Sequence, residues 1–408
     1  MKNESTLKLN YKKTFILGFG FFAISLVWPL YNVYVPLFLR KFFDSQLVIN
    51  SIMTLDNILA IFLIPFISAM SDRTNTKYGR RMPYIMIGLP ISALMFILLP
   101  GVAANLLPFM IIITILNFSM AIYRGPTVAL MPDMTPAPLR SEANGIINFM
   151  GGLASVFVLI GGSKLYAMNK SLPFTATGII MIFSLFMLTK FIKEKKSESK
   201  AEEKVKILPI LSGIFKNKER KTINLLCAIL FWFIGYQGME ATFSNYAVIY
   251  LNMQEHEAGL VLGFFALAFL IFAIPSGYIG KKLGKKKTIM IGLSVDVFIF
   301  ILLGLIGPLG LITFNKPLIM GLFAIAGLFW ACVNINSYPF IMEGISEDKV
   351  GTYTGLYYFA SSIAAISGPL LFGIFVDIIN FSVLFYITAI TFFIAWIFVH
   401  LIKNTEKN

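Results

Sequence analysis

The chain has 408 residues, of which 57% are hydrophobic and only 13% are charged, and its formal net charge is +14. A soluble domain is about 45–50% apolar and roughly 25% charged, so this composition excludes an ordinary soluble enzyme and a disordered chain. The two cysteines, Cys227 and Cys332, both lie in apolar runs, which leaves no pattern typical of a disulfide framework or a zinc site. We therefore expect no catalytic residue, metal or cofactor.

Apolar runs long enough to cross a bilayer recur along the whole chain. A membrane-spanning helix needs about 20 mostly apolar residues, and twelve runs qualify. The first is too long for the core of a signal peptide and lacks a small-residue cleavage site, so we interpret it as an uncleaved span. The chain is therefore predicted to be an all-α integral membrane protein with spans 1 to 12 at 14–38, 50–70, 83–100, 106–131, 145–166, 172–192, 223–251, 257–280, 288–308, 317–342, 352–376 and 382–402.

The basic residues are distributed unevenly between the two sets of loops. With twelve spans both termini share a side, and 28 of the 34 lysines and arginines lie in the loops of that side, against five on the other. Loops rich in lysine and arginine face the cytoplasm, so both termini are predicted to be cytoplasmic in a multi-pass protein of the cell membrane. The positive charge thus reflects topology, and no nucleic acid is expected as a partner.

One long polar stretch divides the chain. It lies between spans 6 and 7 and predicts a cytoplasmic linker at 193–222, with an N-terminal six-helix bundle at 1–192 and a C-terminal six-helix bundle at 223–408. The two halves echo each other, because Gly79-Arg80-Arg81 after span 2 corresponds to Gly284-Lys285-Lys286 after span 8. Parallel six-helix repeats are one of the known plans of membrane transporters.

The loop after span 2, with the sequence SDRTNTKYGRRMPY, resembles the signature of the major facilitator superfamily. Five residues lie between Arg73 and Gly79 of this loop, where the signature has one. Together with YRGPTVALMPD at the end of span 4, it is similar to the sucrose-transporter branch, which comprises plant sucrose/proton symporters and their animal and bacterial relatives. The resemblance implies a 6+6 fold with a pseudo-two-fold axis and a central cavity lined by spans 1, 4, 7 and 10.

In that superfamily an acid and an arginine cluster are implied to hold a cytoplasmic gate shut. Carried over, the gate residues are Asp72, Arg73, Gly79, Arg80 and Arg81. The alternative is that these basic residues only anchor the topology against anionic headgroups. The second half has Lys281 where Asp72 stands, so its gate is expected to be weaker.

Ionisable groups inside a span are costly and are candidates for function. The chain has four: Asp56, Arg124, Glu240 and Asp296. By the resemblance, Arg124 and Glu240 lie on cavity-lining spans of opposite halves, where a substrate or proton site between repeats would lie. Arg124 is then either a substrate donor or the partner of Glu240. Asp56 is either a coupling acid or a structural tie, and Asp296 is interpreted as structural.

Polar and aromatic residues also recur at helical spacing along the lining spans. Amide groups beside aromatic rings suit a sugar, whose C–H faces pack on rings while its hydroxyls take directed hydrogen bonds. The alternatives are interface anchors for the aromatic residues and interhelical bonds for the amides. The candidate substrate-binding or coupling residues, beside the charged ones, are Asn117, Gln237, Asn334, Trp28, Tyr31, Trp232, Tyr236, Trp330 and Tyr338.

These features predict a monomeric secondary transporter that moves a sugar, a disaccharide or glycoside such as sucrose or maltose, by alternating access with proton symport. The proton-binding aspartate implied in the plant symporters aligns with Asn117, which cannot titrate, so coupling falls on Glu240 or Asp56, or the carrier is a facilitator. Paired aspartates of the sodium-coupled melibiose type are missing from span 2, which disfavours sodium. The alternatives are an exporter of drugs or amphiphiles, favoured by 40 phenylalanines and 19 methionines, and a non-transporting sensor.

Overall fold

The computed structural model describes residues 8–194, 220–307, 312, 315–346 and 349–402. Within these residues twelve helices are long and apolar enough to cross a membrane, which confirms the predicted all-α membrane fold. Most of the predicted linker, and Lys2, Lys403 and Lys407 at the chain ends, lie outside the described residues. The spans are Tyr11–Leu39, Gln46–Arg73, Met82–Val102, Leu106–Met134, Arg140–Met168, Leu172–Phe191, Arg220–Tyr250, Glu255–Leu283, Lys285–Gly304, Lys316–Ile341, Val350–Ile378 and Phe381–His400.

Local sequence signals set the ends of several spans. Span 3 begins at Met82 with a proline in its first turn, where the missing N–H of proline has no cost. Span 8 begins with a capping box formed by Gln254 and Glu257. Several helices extend a few residues past the predicted apolar runs, because polar residues at their ends continue the helix.

Three spans are irregular. Span 2 consists of two helices, Gln46–Met53 and Leu55–Arg73, interrupted at Thr54. Span 5 contains a π-helical turn at Phe157–Gly161, and span 7 ends in another at Tyr246–Tyr250. Such a turn closes with i→i+5 instead of i→i+4 hydrogen bonds.

The chain forms two compact units. The first unit comprises Met1–Asn32 and Leu55–Ala201, and the second unit comprises Val33–Thr54 and Glu202–Asn408. Residues 33–54 form a hairpin made of the end of span 1 and the start of span 2. Chain order alone places this hairpin in the N-terminal bundle, whereas its contacts group it with the second unit. The bundle boundaries proposed from the sequence otherwise stay a prediction.

A buried polar network fastens this hairpin within the second unit. The Asn50 side-chain amide donates to the Thr242 hydroxyl at 3.0 Å and to the Pro369 carbonyl at 2.7 Å. Gln46 donates to the Asn50 amide oxygen at 2.8 Å and accepts from the Asn245 amide at 2.9 Å. Gln46, Asn50, Thr242 and Asn245 are at most 1% exposed, so the network lies inside the protein and replaces water as their partner.

A carboxylate from span 11 caps the same segment. Asp377 accepts hydrogen bonds from the Ser45 hydroxyl at 2.5 Å and from the backbone N–H groups of Gln46 at 2.6 Å and Leu47 at 3.1 Å. A carboxylate at a helix N-terminus accepts hydrogen bonds from the free N–H groups, and its negative charge is attracted by the positive end of the helix dipole. The short helix Gln46–Met53 is therefore held at its start by Asp377 and along its length by Asn50.

Each unit has an aromatic core with close helix contacts. In the first unit Phe96 packs on Phe174 with ring centroids 5.0 Å apart. In the second unit Phe243 packs on Phe323 at 4.7 Å. A Cβ at Gly327 would lie 2.2 Å from the backbone oxygen of Phe265, so spans 8 and 10 approach closely because this position has no side chain.

Candidate functional site

Arg124 of span 4 is the centre of a polar cluster in the first unit. Its guanidinium lies 6.0 Å from the ring of Trp28 in span 1, and that ring meets Tyr31 edge to face at 5.7 Å. Arg124 is also attracted by the carboxylate of Asp56 in span 2. With Asn117, whose side chain lies near the Tyr31 hydroxyl, these residues are called the Arg124 cluster. Of the sequence candidates, the structure brings these five together.

The Arg124 cluster holds several buried polar atoms without a hydrogen-bond partner among the described residues. They are Trp28 Nε1, the Tyr31 hydroxyl, Asp56 Oδ1 and Asn117 Oδ1. Tyr31 is fully buried and Asn117 is 4% exposed. Buried polar atoms in folded proteins are nearly always hydrogen-bonded. The four unsatisfied atoms of the Arg124 cluster therefore offer hydrogen-bond donors and acceptors to a polar molecule.

A second group of candidates meets in the second unit. The rings of Tyr236 in span 7 and Trp330 in span 10 stack with centroids 4.7 Å apart and planes 5° apart. Phe233 packs edge-on against Trp330 at 5.9 Å and against Tyr357 at 6.2 Å. Glu240 interacts with the Tyr236 hydroxyl. These five residues, called the Tyr236 cluster, combine a broad aromatic surface with one carboxylate.

The remaining candidates occupy the same spans of the second unit. Trp232 is fully buried, packs edge-on against Phe233, and has an indole N–H without a partner among the described residues. Gln237 and Asn334 are half-buried. Tyr338 is exposed, and its hydroxyl is 2.8 Å from that of Thr354. None of these contacts by itself distinguishes a substrate site from packing.

The predicted gate residues form a network within the first unit. Arg81 pairs with Asp72 and, through Nε, with Asp133 Oδ2 at 2.9 Å. Arg80 binds Asp133 Oδ1 at 2.6 Å. Arg80 and Arg81 are only 7% and 5% exposed, and Gly79 has a φ of +106° that favours glycine. Arg73, in contrast, is exposed.

Sequence reasoning missed two carboxylates of this network. Asp133 lies in the stretch YRGPTVALMPD, but nothing in that stretch indicates that it binds both arginines. Glu194, three residues after span 6 ends, accepts from the backbone N–H of Arg81 at 2.9 Å. Its position in a lysine-rich polar segment gave no signal of burial.

The second unit carries a reduced copy of the network. Lys285 Nζ binds Glu343 Oε1 at 2.9 Å, and the two side chains are 30% and 48% exposed. Gly284, like Gly79, has a positive φ, here +87°. The copy is an ion pair between exposed groups, whereas the first-unit arginines are buried.

Asp296 of span 9 differs from the other intramembrane acids. It is fully buried, and both carboxylate oxygens have no hydrogen-bond partner among the described residues. Its electrostatic neighbour is the buried Cys332. In the described part of the chain no three His, Cys, Asp or Glu side chains are close enough to form a metal site.

Two units of membrane-spanning helices with polar clusters in their interior define the class of helical membrane transporters. The Major Facilitator Superfamily profile matches residues 17–369 and 244–408, so the chain belongs to the Major Facilitator Superfamily. The nucleoside transporter NupG has the same fold, with a TM-score of 0.75 at 15% identity over 96% of this chain and 100% of that one.

Curated relatives differ in what their names describe. The isoprimeverose transporter of Lactiplantibacillus pentosus is 22% identical over 70% of this chain and 63% of its own length. The class H tetracycline resistance protein of Pasteurella multocida is 24% identical over 77% of this chain and 76% of its own length. The chain is therefore a multi-pass secondary transporter for a small molecule, with relatives named for a sugar and for drug resistance.

Proposed function

We propose that this transporter moves a sugar, a disaccharide or small glycoside, across the cell membrane together with a proton, with both termini in the cytoplasm. The observation that carries the proposal is the set of four unsatisfied polar atoms in the Arg124 cluster. Every sugar hydroxyl both donates and accepts a hydrogen bond, so such a ligand would satisfy the Trp28 N–H as donor and the Asp56 and Asn117 oxygens as acceptors. The Trp28 ring offers a face for the apolar side of a pyranose.

Two further observations support a sugar. The loop SDRTNTKYGRRMPY is similar to that of the sucrose-transporter branch, and one relative is named as an isoprimeverose transporter. The carboxyls available for proton coupling are Asp56, which faces Arg124, and Glu240, which faces the Tyr236 hydroxyl. Protonation of Asp56 would weaken its attraction to Arg124, and protonation of Glu240 would change its interaction with the Tyr236 hydroxyl. Either carboxyl would then have two electrostatic states.

Purified protein in liposomes tests the substrate class. A panel of labelled mono- and disaccharides is offered in counterflow, where no ion gradient is needed. Arg124→Lys is expected to lower the rate about 100-fold, because a lysine cannot reproduce the planar fork of the guanidinium and shifts the ligand. Arg140→Lys, the same change at the first residue of span 5, is expected to retain the rate. If no sugar exchanges, or if Arg124→Lys exchanges as fast as wild type, the sugar site at Arg124 is wrong.

Proton coupling is tested separately in the same liposomes. An inward proton gradient is expected to drive accumulation of the sugar in wild type. Glu240→Gln or Asp56→Asn, whichever removes the coupling acid, is expected to abolish accumulation while counterflow persists. Wild-type uptake that ignores the gradient would identify a facilitator instead.

The second candidate function is export of an amphiphilic drug. It is favoured by the aromatic surface of the Tyr236 cluster, where two rings already stack, and by the tetracycline resistance relative. Amphipathic cations would then compete for the site while sugars would not. Thermal-shift competition between the two ligand types distinguishes the candidates.

A further inference from the structure

The segment directly after span 6 contains a buried carboxylate, that of Glu194. Span 6 ends at Phe191, Ile192 is 3% exposed, and the Glu194 side chain is 2% exposed although lysines surround it in the sequence. A glutamate is almost never fully buried without a partner. The burial of Glu194 therefore calls for an explanation by its contacts.

The polar contacts of Glu194 with other described residues lie in the gate motif and at the start of span 3. Glu194 Oε2 accepts from the backbone N–H groups of Arg81 at 2.9 Å and Met82 at 3.3 Å. These are free N–H groups at the start of span 3, where a carboxylate is favourable. Glu194 Oε1 lies 3.7 Å from Arg80 Nε. The side chain thus satisfies the start of a helix and contributes to the pairing of a buried arginine.

The absence of a side chain at Gly79 leaves room for the side chain of Glu194. A Cβ at Gly79 would lie 2.3 Å from Glu194 Oε2, so the carboxylate occupies the space that any other residue would fill. At Gly284, the corresponding glycine of the second unit, an added Cβ meets nothing within 4 Å. The contact with Glu194 is therefore a feature of the first-unit motif and does not follow from the loop shape alone.

In the second unit the corresponding basic motif is bound by backbone carbonyls and not by a carboxylate. Lys286 Nζ, the counterpart of Arg81, donates to the backbone carbonyls of His400 at 3.2 Å, the last residue of span 12, and of Ile402 at 2.5 Å, just after it. In both units the chain that follows the last span binds the basic motif. In the first unit the bond is made by a carboxylate and carries charge.

We propose that Glu194 is a positioning residue of the gate. It joins the start of the central linker to the arginine motif, so that residues 192–194 and the loop 74–81 form one body. Glu194 touches no substrate candidate and acts through Arg80 and Arg81. The inference rests on the transport function for its kinetic consequence, whereas its structural consequence is independent of the substrate.

Hydrogen exchange on the purified full-length protein tests the structural part. In Glu194→Ala the N–H groups of Arg81 and Met82 lose their acceptor, and exchange in a peptide covering 79–84 is expected to rise about 10-fold. Glu194→Gln keeps an acceptor oxygen and is expected to stay near wild type. Glu142→Ala, which removes an exposed glutamate bonded to Tyr11, is the matched control. Exchange in Glu194→Ala equal to that of the control would overturn the proposal.

Transport kinetics test the functional part. Glu194→Ala is expected to lower the maximal counterflow rate about 10-fold with KM within about 2-fold, because the gate and not the substrate site is changed. A raised KM at an unchanged maximal rate would place Glu194 at the substrate site and refute the gate role. If wild type transports no sugar, the proposed function fails, while the exchange experiment still decides the role of Glu194.

Discussion

Asp133→Ala is expected to destabilise the protein by about 3 kcal/mol, because the substitution leaves two buried arginines without a shared partner. Arg80 donates to both oxygens of Asp133, to Oδ1 at 2.6 Å and to Oδ2 at 3.2 Å, and Arg81 donates to Oδ2 at 2.9 Å. After the substitution Arg80 keeps a contact of 3.7 Å with Glu194, and Arg81 keeps Asp72. Removing one partner of a buried pair costs more than the pair contributes, since the remaining charge stays desolvated.

The repeat supplies the control for this prediction. Glu343→Ala removes the corresponding carboxylate of the second unit, where the pair is exposed, and exposed pairs contribute about 1 kcal/mol or less. Both variants are compared with wild type by thermal unfolding of the purified protein. Asp133→Glu, which keeps the charge, is expected to fall between wild type and Asp133→Ala. Equal melting temperatures for Asp133→Ala and Glu343→Ala would show that the first-unit arginines do not depend on Asp133.

Asn50→Ala is expected to cost about 2–4 kcal/mol, because it leaves several buried groups unsatisfied at once. The Thr242 hydroxyl and the Pro369 carbonyl lose their donor, and the Gln46 amide loses its acceptor. Asn50 itself is fully buried. The hairpin 33–54 is therefore expected to loosen, which faster hydrogen exchange at 46–53 would reveal.

Asn148→Ala is the matched control for Asn50→Ala. Asn148 is exposed, and its amide donates to the backbone of its own helix at Asn144, so its loss is expected to change stability by less than about 0.5 kcal/mol. Melting temperature and exchange are measured for both variants. If Asn50→Ala melts and exchanges like Asn148→Ala, the polar network does not hold the hairpin.

The existence of the spans followed from the sequence because apolar length is a local property. Each run of about 20 residues indicates a helix whatever it packs against. The break in span 2 escaped this reasoning, since Gln46 and Asn50 are polar by composition and are buried only because Thr242, Asn245 and Pro369 receive them. Hydropathy therefore predicts that span 2 begins at residue 50, whereas the helix begins at Gln46.

The charged residues of the candidate site were predictable from the sequence, whereas their partners were not. Arg124 and Asp56 were evident as charges in apolar runs, but their mutual electrostatic attraction was not. The gate motif was visible in Asp72, Arg80 and Arg81, while its binding to Asp133 and Glu194 depends on how spans 2, 3, 4 and 6 pack. Partners that are far apart in the chain leave no periodic signal.

The two π-helical turns, at Phe157–Gly161 and Tyr246–Tyr250, affect how this chain is to be aligned with its relatives. A π-helical turn accommodates one additional residue without breaking the helix, so residues on its far side are rotated by about 100° from the count of an uninterrupted helix. The candidate residues of span 7, from Trp232 to Glu240, lie before its turn and keep their register. A single-residue gap in alignments of span 5 therefore belongs in its turn, and positions transferred past Gly161 without such a gap would fall on the wrong face of Gly162–Met168.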